Sequence, residues 1–196
     1  QQGSPEMLAA YYGLLSTFDL DPSQHDRQLG VCLEALEIYP LDAQLLCAMG
    51  HYLQRVNQLE LAARAFQTAV EHGQVNLRTW HLCEITEMAA ICLSLTCQLQ
   101  GKDDEARRTL EQALERCNGS TRVRRHLLEL HVKHGREEEA IRTAEAMPIA
   151  AQLREASRNA VRGACHAARQ QWVPALGYLQ SAYLAGYVDP FCLRWL

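Results

Sequence analysis

Gly101-Lys102-Asp103-Asp104-Glu105-Ala106 returns thirty-four residues later as Gly135-Arg136-Glu137-Glu138-Glu139-Ala140. Both stretches run from a turn residue through an acidic triplet to a small alanine. Two looser copies share the frame, Asn57 to Ala62 and Gln170 to Ala175. The four alanines are separated by 44, 34 and 35 residues. A period near 34 is what helix, turn, helix and turn consume when two helices of about four turns each are stacked. The acidic triplets then open helices, where the positive end of the helix dipole favours them.

The residues around these turns resemble the tetratricopeptide repeat. The clearest copy has Leu46, Met49, Gly50 and Leu53 in its first helix and Ala62, Phe66 and Ala69 in its second. A second copy reads Ala90, Leu93, Ser94 and Cys97, then Ala106, Leu110 and Ala113. A third has Leu127, Leu128 and His131, then Ala140, Ala144 and Met147, and a fourth has Gly163, His166, Ala175, Leu179 and Ala182. Upstream, Ala9, Tyr12 and Gly13 with Cys32, Ala35 and Pro40 look like a degenerate first repeat. The resemblance implies an all-α fold, a right-handed superhelical array of about ten helices in antiparallel pairs. Repeats are expected at about 5–41, 42–75, 76–119, 120–150 and 151–188 of a single array spanning 1–196. Small residues suit helices that cross closely, and larger ones such as Phe66, Leu110 and Leu179 fill the spaces between neighbours. No repeat buries its own apolar stripe, so stability comes from stacking.

The 44-residue interval is ten longer than its neighbours, and no proline or glycine interrupts residues 75–100. The simplest accommodation is a first helix extended by nearly three turns, from near Asn76 to about Gln100, carrying Trp80, Leu82 and Ile85 on the extension. At the other end, Asp189-Pro190-Phe191-Cys192-Leu193-Arg194-Trp195-Leu196 reads as the start of a further helix. Its apolar face must fold back or find a second molecule, which makes self-association through that face an expectation. Beginning Gln-Gln-Gly-Ser-Pro without methionine, the chain reads as a piece of a longer protein.

Composition narrows the function classes. The chain is 48% hydrophobic and 21% charged, enough to bury a core. Its net charge of −4 and lack of a basic stripe interleaved with aromatics argue against nucleic acid. The longest apolar stretch, residues 88–101, is too short to span a bilayer. Charge runs from −6 over residues 1–75 through −1 over 76–150 to +3 over 151–196. The eight cysteines contain no CxxC pair and sit mostly in apolar helical stretches, so they read as small core hydrophobes in a reducing compartment, a cytoplasmic setting. Asn118-Gly119-Ser120 matches a glycosylation acceptor and reads more simply as a helix-ending turn.

No glycine-rich phosphate loop, nucleophile motif or carboxylate pair stands out, so the chain reads as a non-enzyme without cofactor or metal. His131 and His134 are three apart, but no third ligand is implied and His131 falls on a packing position of the repeat.

What the resemblance implies about function concerns the first helices, which line the concave face in this family. Carried over residue by residue, the concave positions are Gln44, Cys47, His51, Gln54 and Arg55 in the first clear copy. The second contributes Met88, Ile91, Leu95 and Leu99, and the third Arg122, Arg125 and Lys133. Cys47 and His51 stand where repeats that clamp chaperone C-termini carry lysine and asparagine, which disfavours that activity. The leading expectation is a scaffold binding a peptide or helical segment whose apolar core meets Met88 to Leu99 and whose acidic flanks meet the arginines. A methionine and leucine stripe at helical spacing is more often core, however, and the upstream helix around Met7 to Phe18 or the extra turns of the long helix could cover it. The alternative is an accessory, non-catalytic domain of a larger multidomain enzyme such as a transferase.

Overall fold

The computed structural model describes residues 3–19, 22–76, 82–189 and 194. Among them are ten α-helices and no strand. They are α1 (Pro5–Asp19), α2 (His25–Ile38), α3 (Ala43–Arg55), α4 (Leu59–His72), α5 (Leu82–Leu99), α6 (Asp103–Arg116), α7 (Thr121–Lys133), α8 (Glu137–Glu145), α9 (Arg154–Ala168) and α10 (Trp172–Leu184). Contacts divide the chain into two compact units, residues 1–117 and 118–196.

One hydrogen-bond pattern explains why the turn-to-alanine frame recurs. Asn57, Gly101, Gly135 and Gln170 all have left-handed backbones, with φ of 58°, 75°, 63° and 60°. Glycine enters that region without penalty, and asparagine is the commonest alternative. The residue after each donates its N–H five residues back: Gln58 to Leu53, Lys102 to Cys97, Arg136 to His131 and Gln171 to His166, at 2.8–2.9 Å. This is the Schellman closure of a helix C-terminus. That same residue's carbonyl then accepts from the recurring alanine, Ala62, Ala106, Ala140 or Ala175, as the first bond of the next helix. One residue thus ends one helix and starts another. The short link turns the chain back on itself, and the alanine is driven against the preceding helix, at most 2% exposed in all four cases.

Within residues 1–117, Leu8, Tyr12 and Leu15 of α1 pack with Cys32 and Ala35 of α2 and Leu45 of α3. Gly50 lets α3 approach Phe66 of α4, which is fully buried. Within residues 118–196, Leu128 and Val132 of α7 join Ala140 and Ala144 of α8, Ala160, Ala164 and Cys165 of α9, and Leu179 of α10. Equivalent caps start α3 and α7: Asp42 accepts from Leu45 N at 2.9 Å, and Ser120 accepts from Val123 N at 3.1 Å. Asn118-Gly119-Ser120 is therefore a turn leading into a helix cap, with Gly119 at φ 109°.

Two boundaries differ from expectation. Asn76 itself is not helical, and residues 77–81 lie outside those described. Gln74 N donates to Leu41 O at 2.6 Å and Gln74 O accepts from Ala43 N at 2.9 Å, forming a parallel bridge that pins this part of the chain in an extended form. Val75 and Asn76 are non-helical, and α5 is described from Leu82. Ile85 is buried within it, whereas Trp80 and the side chain of Leu82 lie outside the described residues. Similarly, α8 stops at Glu145, short of Met147, because Pro148 disfavours helix in the residue before it. Met147 still packs against the second unit's core. The expected further helix from Asp189 falls mostly on residues outside those described; Asp189 itself is not helical.

Candidate functional site

In the first unit, α3 presents Gln44, Cys47, Ala48 and His51 at intervals that return to one side of the helix, which places them on one face. That face opens into a cavity of about 360 Å³. Tyr12, Leu15 and Ser16 of α1 form one wall, Gln28 of α2 another, and Met88 of α5 a third. Gln44 and His51 of one predicted repeat and Met88 of the next are thus brought together. Tyr12 and Gln28 were missed as site residues. The only signal in the sequence was Tyr12 in the degenerate repeat, where it read as packing.

The polar side chains here are oriented by neighbours. His51 Nε2 lies 3.6 Å from Cys92 Sγ, and its ring meets Phe66 edge-on with centroids 5.2 Å apart. Gln54 Nε2 donates to Thr96 Oγ1 at 2.6 Å, and Thr96 in turn donates to the carbonyl of Cys92. Arg55 Nη2 donates to Gln28 Oε1 at 2.7 Å. The tyrosine wall is fixed too, since Tyr12 OH donates to Asp42 Oδ2 at 2.6 Å in a buried setting. Burial pushes the Cys47 thiol far up, and burial likewise lifts Cys32 to about 12. These sulfurs are neutral packing groups.

The α5 stripe divides by exposure. Met88 is half-buried at the cavity, Ile91 is 7% exposed, and Leu95 and Leu99 are 41% and 66% exposed.

The remaining predicted residues belong to the second unit, on α7. Arg122 and Lys133 are exposed, and Arg125 Nη2 lies 3.2 Å from Asp189 Oδ2. His126 Nδ1 is 3.7 Å from Glu129. Burial holds the His126 imidazole below its ordinary value, and Arg122 and Arg125 push the same way against Glu129.

Among the described residues no group of three His, Cys, Asp or Glu is placed to hold a metal ion. Cys32, Cys47, Cys92, Cys97, Cys117 and Cys165 are buried free thiols. No described helix is long and apolar enough to cross a membrane.

No protein-family model matches the sequence, and no curated protein matches it. Solved structures do. YrrB, a TPR protein with an unusual peptide-binding site, superposes with a TM-score of 0.61 at 17% identity, over 94% of this chain and 89% of that one. MamA gives 0.63 at 12% identity, covering 93% of each chain. The structure of Naa15/Naa10 bound to HypK-THB gives 0.56 at 15% identity, over 94% of this chain but 26% of that longer one. At these identities the likeness shows the fold: this chain has the helical-repeat fold of tetratricopeptide-repeat proteins.

Proposed function

We propose that the chain is a protein-interaction scaffold, an array of helix-pair repeats that takes a peptide or helical segment on its first helices. The observation that carries this reading is the cavity where α1, α2, α3 and α5 meet. It is large enough for an apolar anchor side chain, and Gln28, Gln44 and His51 place polar groups around the apolar wall of Leu15, Cys47 and Met88. The bound segment continues over Leu95 and Leu99 of α5 within the same unit, with Gln54 and Arg55 on the neighbouring helix. In the second unit, taken by itself, Arg122, Arg125 and Lys133 of α7 offer the positive charge that an acidic segment requires. Peptide binding by YrrB, a protein of the same fold, supports the reading. Activity of this kind needs no catalytic group, cofactor or metal, and a reducing, cytoplasmic setting suits the buried thiols.

A second reading rests on the Naa15/Naa10 match, in which the chain corresponds to about a quarter of a longer protein within an assembly. On this reading the present array is an accessory, non-catalytic domain of a larger multidomain enzyme such as a transferase.

Selection from a displayed peptide library tests the first reading. Peptides with an apolar core and acidic flanks are expected to enrich on the wild-type chain and to bind Met88→Asp at least about ten-fold more weakly. Enrichment of peptides that bind Met88→Asp and wild type equally would remove the cavity from the reading.

A further inference from the structure

After α10 the chain reverses at Gly186, φ 81°, where Tyr187 N donates to Ala182 O at 3.1 Å. The reversal is the same Schellman closure that ends the repeats, but residues 187–189 beyond it are not helical. Tyr187 packs against the core of its own unit, beside Leu128 of α7 and Val161 of α9. Asp189 then pairs with Arg125 at 3.2 Å, and Arg194 lies 3.8 Å from Glu129 Oε1. Arg125 and Glu129 are four residues apart on α7 and so occupy one stripe of that helix. An acid five residues ahead of a base therefore meets a base one turn ahead of an acid. The charges are matched in order along the helix.

This stripe belongs to a first helix, the kind of helix that the scaffold reading assigns to partner binding, and the inference rests on that reading. The tail holds it by exchangeable contacts: the Arg125 and Arg194 side chains are 43% and 72% exposed. Ion pairs of such exposure are worth little individually and are easily replaced by equivalent ones. An aromatic foot at Tyr187 adds the apolar contact that gives the pairs a register.

We propose that the α7 face of the second unit is a peptide-docking surface occupied at rest, in cis, by the chain's own C-terminal segment. Tyr187, Asp189 and Arg194 act as the built-in ligand. A partner that takes this face must displace them, and the chemistry that does so is an extended peptide with an acidic residue for Arg125 and a basic residue further along for Glu129. The tail thereby sets a threshold for binding.

The probe is a fluorescent peptide with the sequence of residues 187–196, Cys192 replaced by serine, titrated against the full chain and read by anisotropy. Asp189→Ala with Arg194→Ala in the full chain frees the face, so the probe should bind that variant at least about ten-fold more tightly than wild type. Adding Arg125→Glu should abolish the gain. Equal affinity for wild type and double variant, no binding to either, or a gain that survives Arg125→Glu would overturn the proposal. Should the double variant lose helicity, the exchange Arg125→Asp with Asp189→Arg keeps the cis pair and must exclude the probe as wild type does; admission of the probe would count against it. A wild-type dimer on sedimentation that the double variant dissolves would make the occupant a second copy and overturn the cis assignment. Because the first unit's cavity is scored by Met88→Asp and this face by Arg125→Glu, either can fail alone.

Discussion

The ring of Phe66 stands where a side chain on Gly50 would have to be. A Cβ at Gly50 would meet Phe66 Cε1 and Cζ at 2.6 Å, and in the second unit a Cβ at Gly163 would meet Leu179 Cγ at 2.7 Å and Ala175 O at 3.0 Å. Two helix pairs use the same solution, a bare backbone on the first helix against a large side chain on the second.

Gly50→Ala is therefore expected to destabilise by about 1–3 kcal/mol through overpacking, even though alanine gains about 0.5–1 kcal/mol in helix propensity. Gly13→Ala is the control. It lies in α1 with nothing within 4 Å of an added Cβ, and should stabilise by up to about 1 kcal/mol. Urea denaturation of the two variants checks both; equal and favourable shifts would show that Phe66 yields freely.

Ala106→Leu and Leu95→Asp separate core from surface on adjacent helices. Ala106 is fully buried, and its extra volume should cost about 1–3 kcal/mol. Leu95 is 41% exposed, so its aspartate should cost less than about 1 kcal/mol. Thermal melts of the pair decide the matter: an equally large loss for Leu95→Asp would place that side chain in the core.

The repeat was legible in the sequence because each turn leaves two marks at fixed spacing, a residue that tolerates a left-handed backbone and an alanine that tolerates a helix crossing. Gln170 shows the limit, since nothing in its chemistry announces φ 60°; only its distance from Ala175 does. Gly13 shows a second limit. It matched the repeat's glycine position, yet an added Cβ there would meet nothing within 4 Å. The non-helical Val75 and Asn76 could not be read from missing glycine and proline, because what keeps this part of the chain extended is the bridge from Gln74 to Leu41 and Ala43, a contact across about thirty residues of sequence. For the candidate site, periodicity put Gln44 and His51 on one face, but the wall built by Tyr12 and Gln28 comes from helices of weak repeat character. Gly186 marks the reversal after α10 as the other turns are marked, but the pairing of Asp189 with Arg125 spans 64 residues of sequence, which no local pattern encodes.

His126 gives the second unit a pH dependence. Its folded imidazole is held below the ordinary value, chiefly by burial. In the unfolded chain the same group takes a proton near pH about 6.5. Below that pH the unfolded state binds more protons than the folded one, so stability is present above it and is lost as pH falls through the folded value. The melting temperature should decline between about pH 7 and 5, and His126→Gln should flatten that decline. A slope unchanged in His126→Gln would assign the effect to other groups.

Asp42 joins the first helix pair to α3 through both carboxylate oxygens, one accepting from Tyr12 OH at 2.6 Å and the other capping α3 at Leu45 N. Burial raises its pKa, against the lowering effect of those hydrogen bonds. A raised carboxyl contributes stability that is fully present below the unfolded value and lost as pH rises through the folded one, so the ionised group is a net cost near neutrality. The two hydrogen bonds offset that cost, and Tyr12 keeps its proton to donate because burial first, and the bond to Asp42 next, push its hydroxyl well up. Asp42→Ala should lose the cap, about 1 kcal/mol, and strand the Tyr12 hydroxyl, about 1–3 kcal/mol more. Asp42→Asn retains an acceptor for one donor and should recover part of this loss while removing the pH-dependent step. A double-mutant cycle with Tyr12→Phe and Asp42→Ala isolates the contact, with an expected coupling of about 1 kcal/mol or more. Additive losses in that cycle would mean that Asp42 serves α3 alone and that the cavity wall at Tyr12 is held by packing.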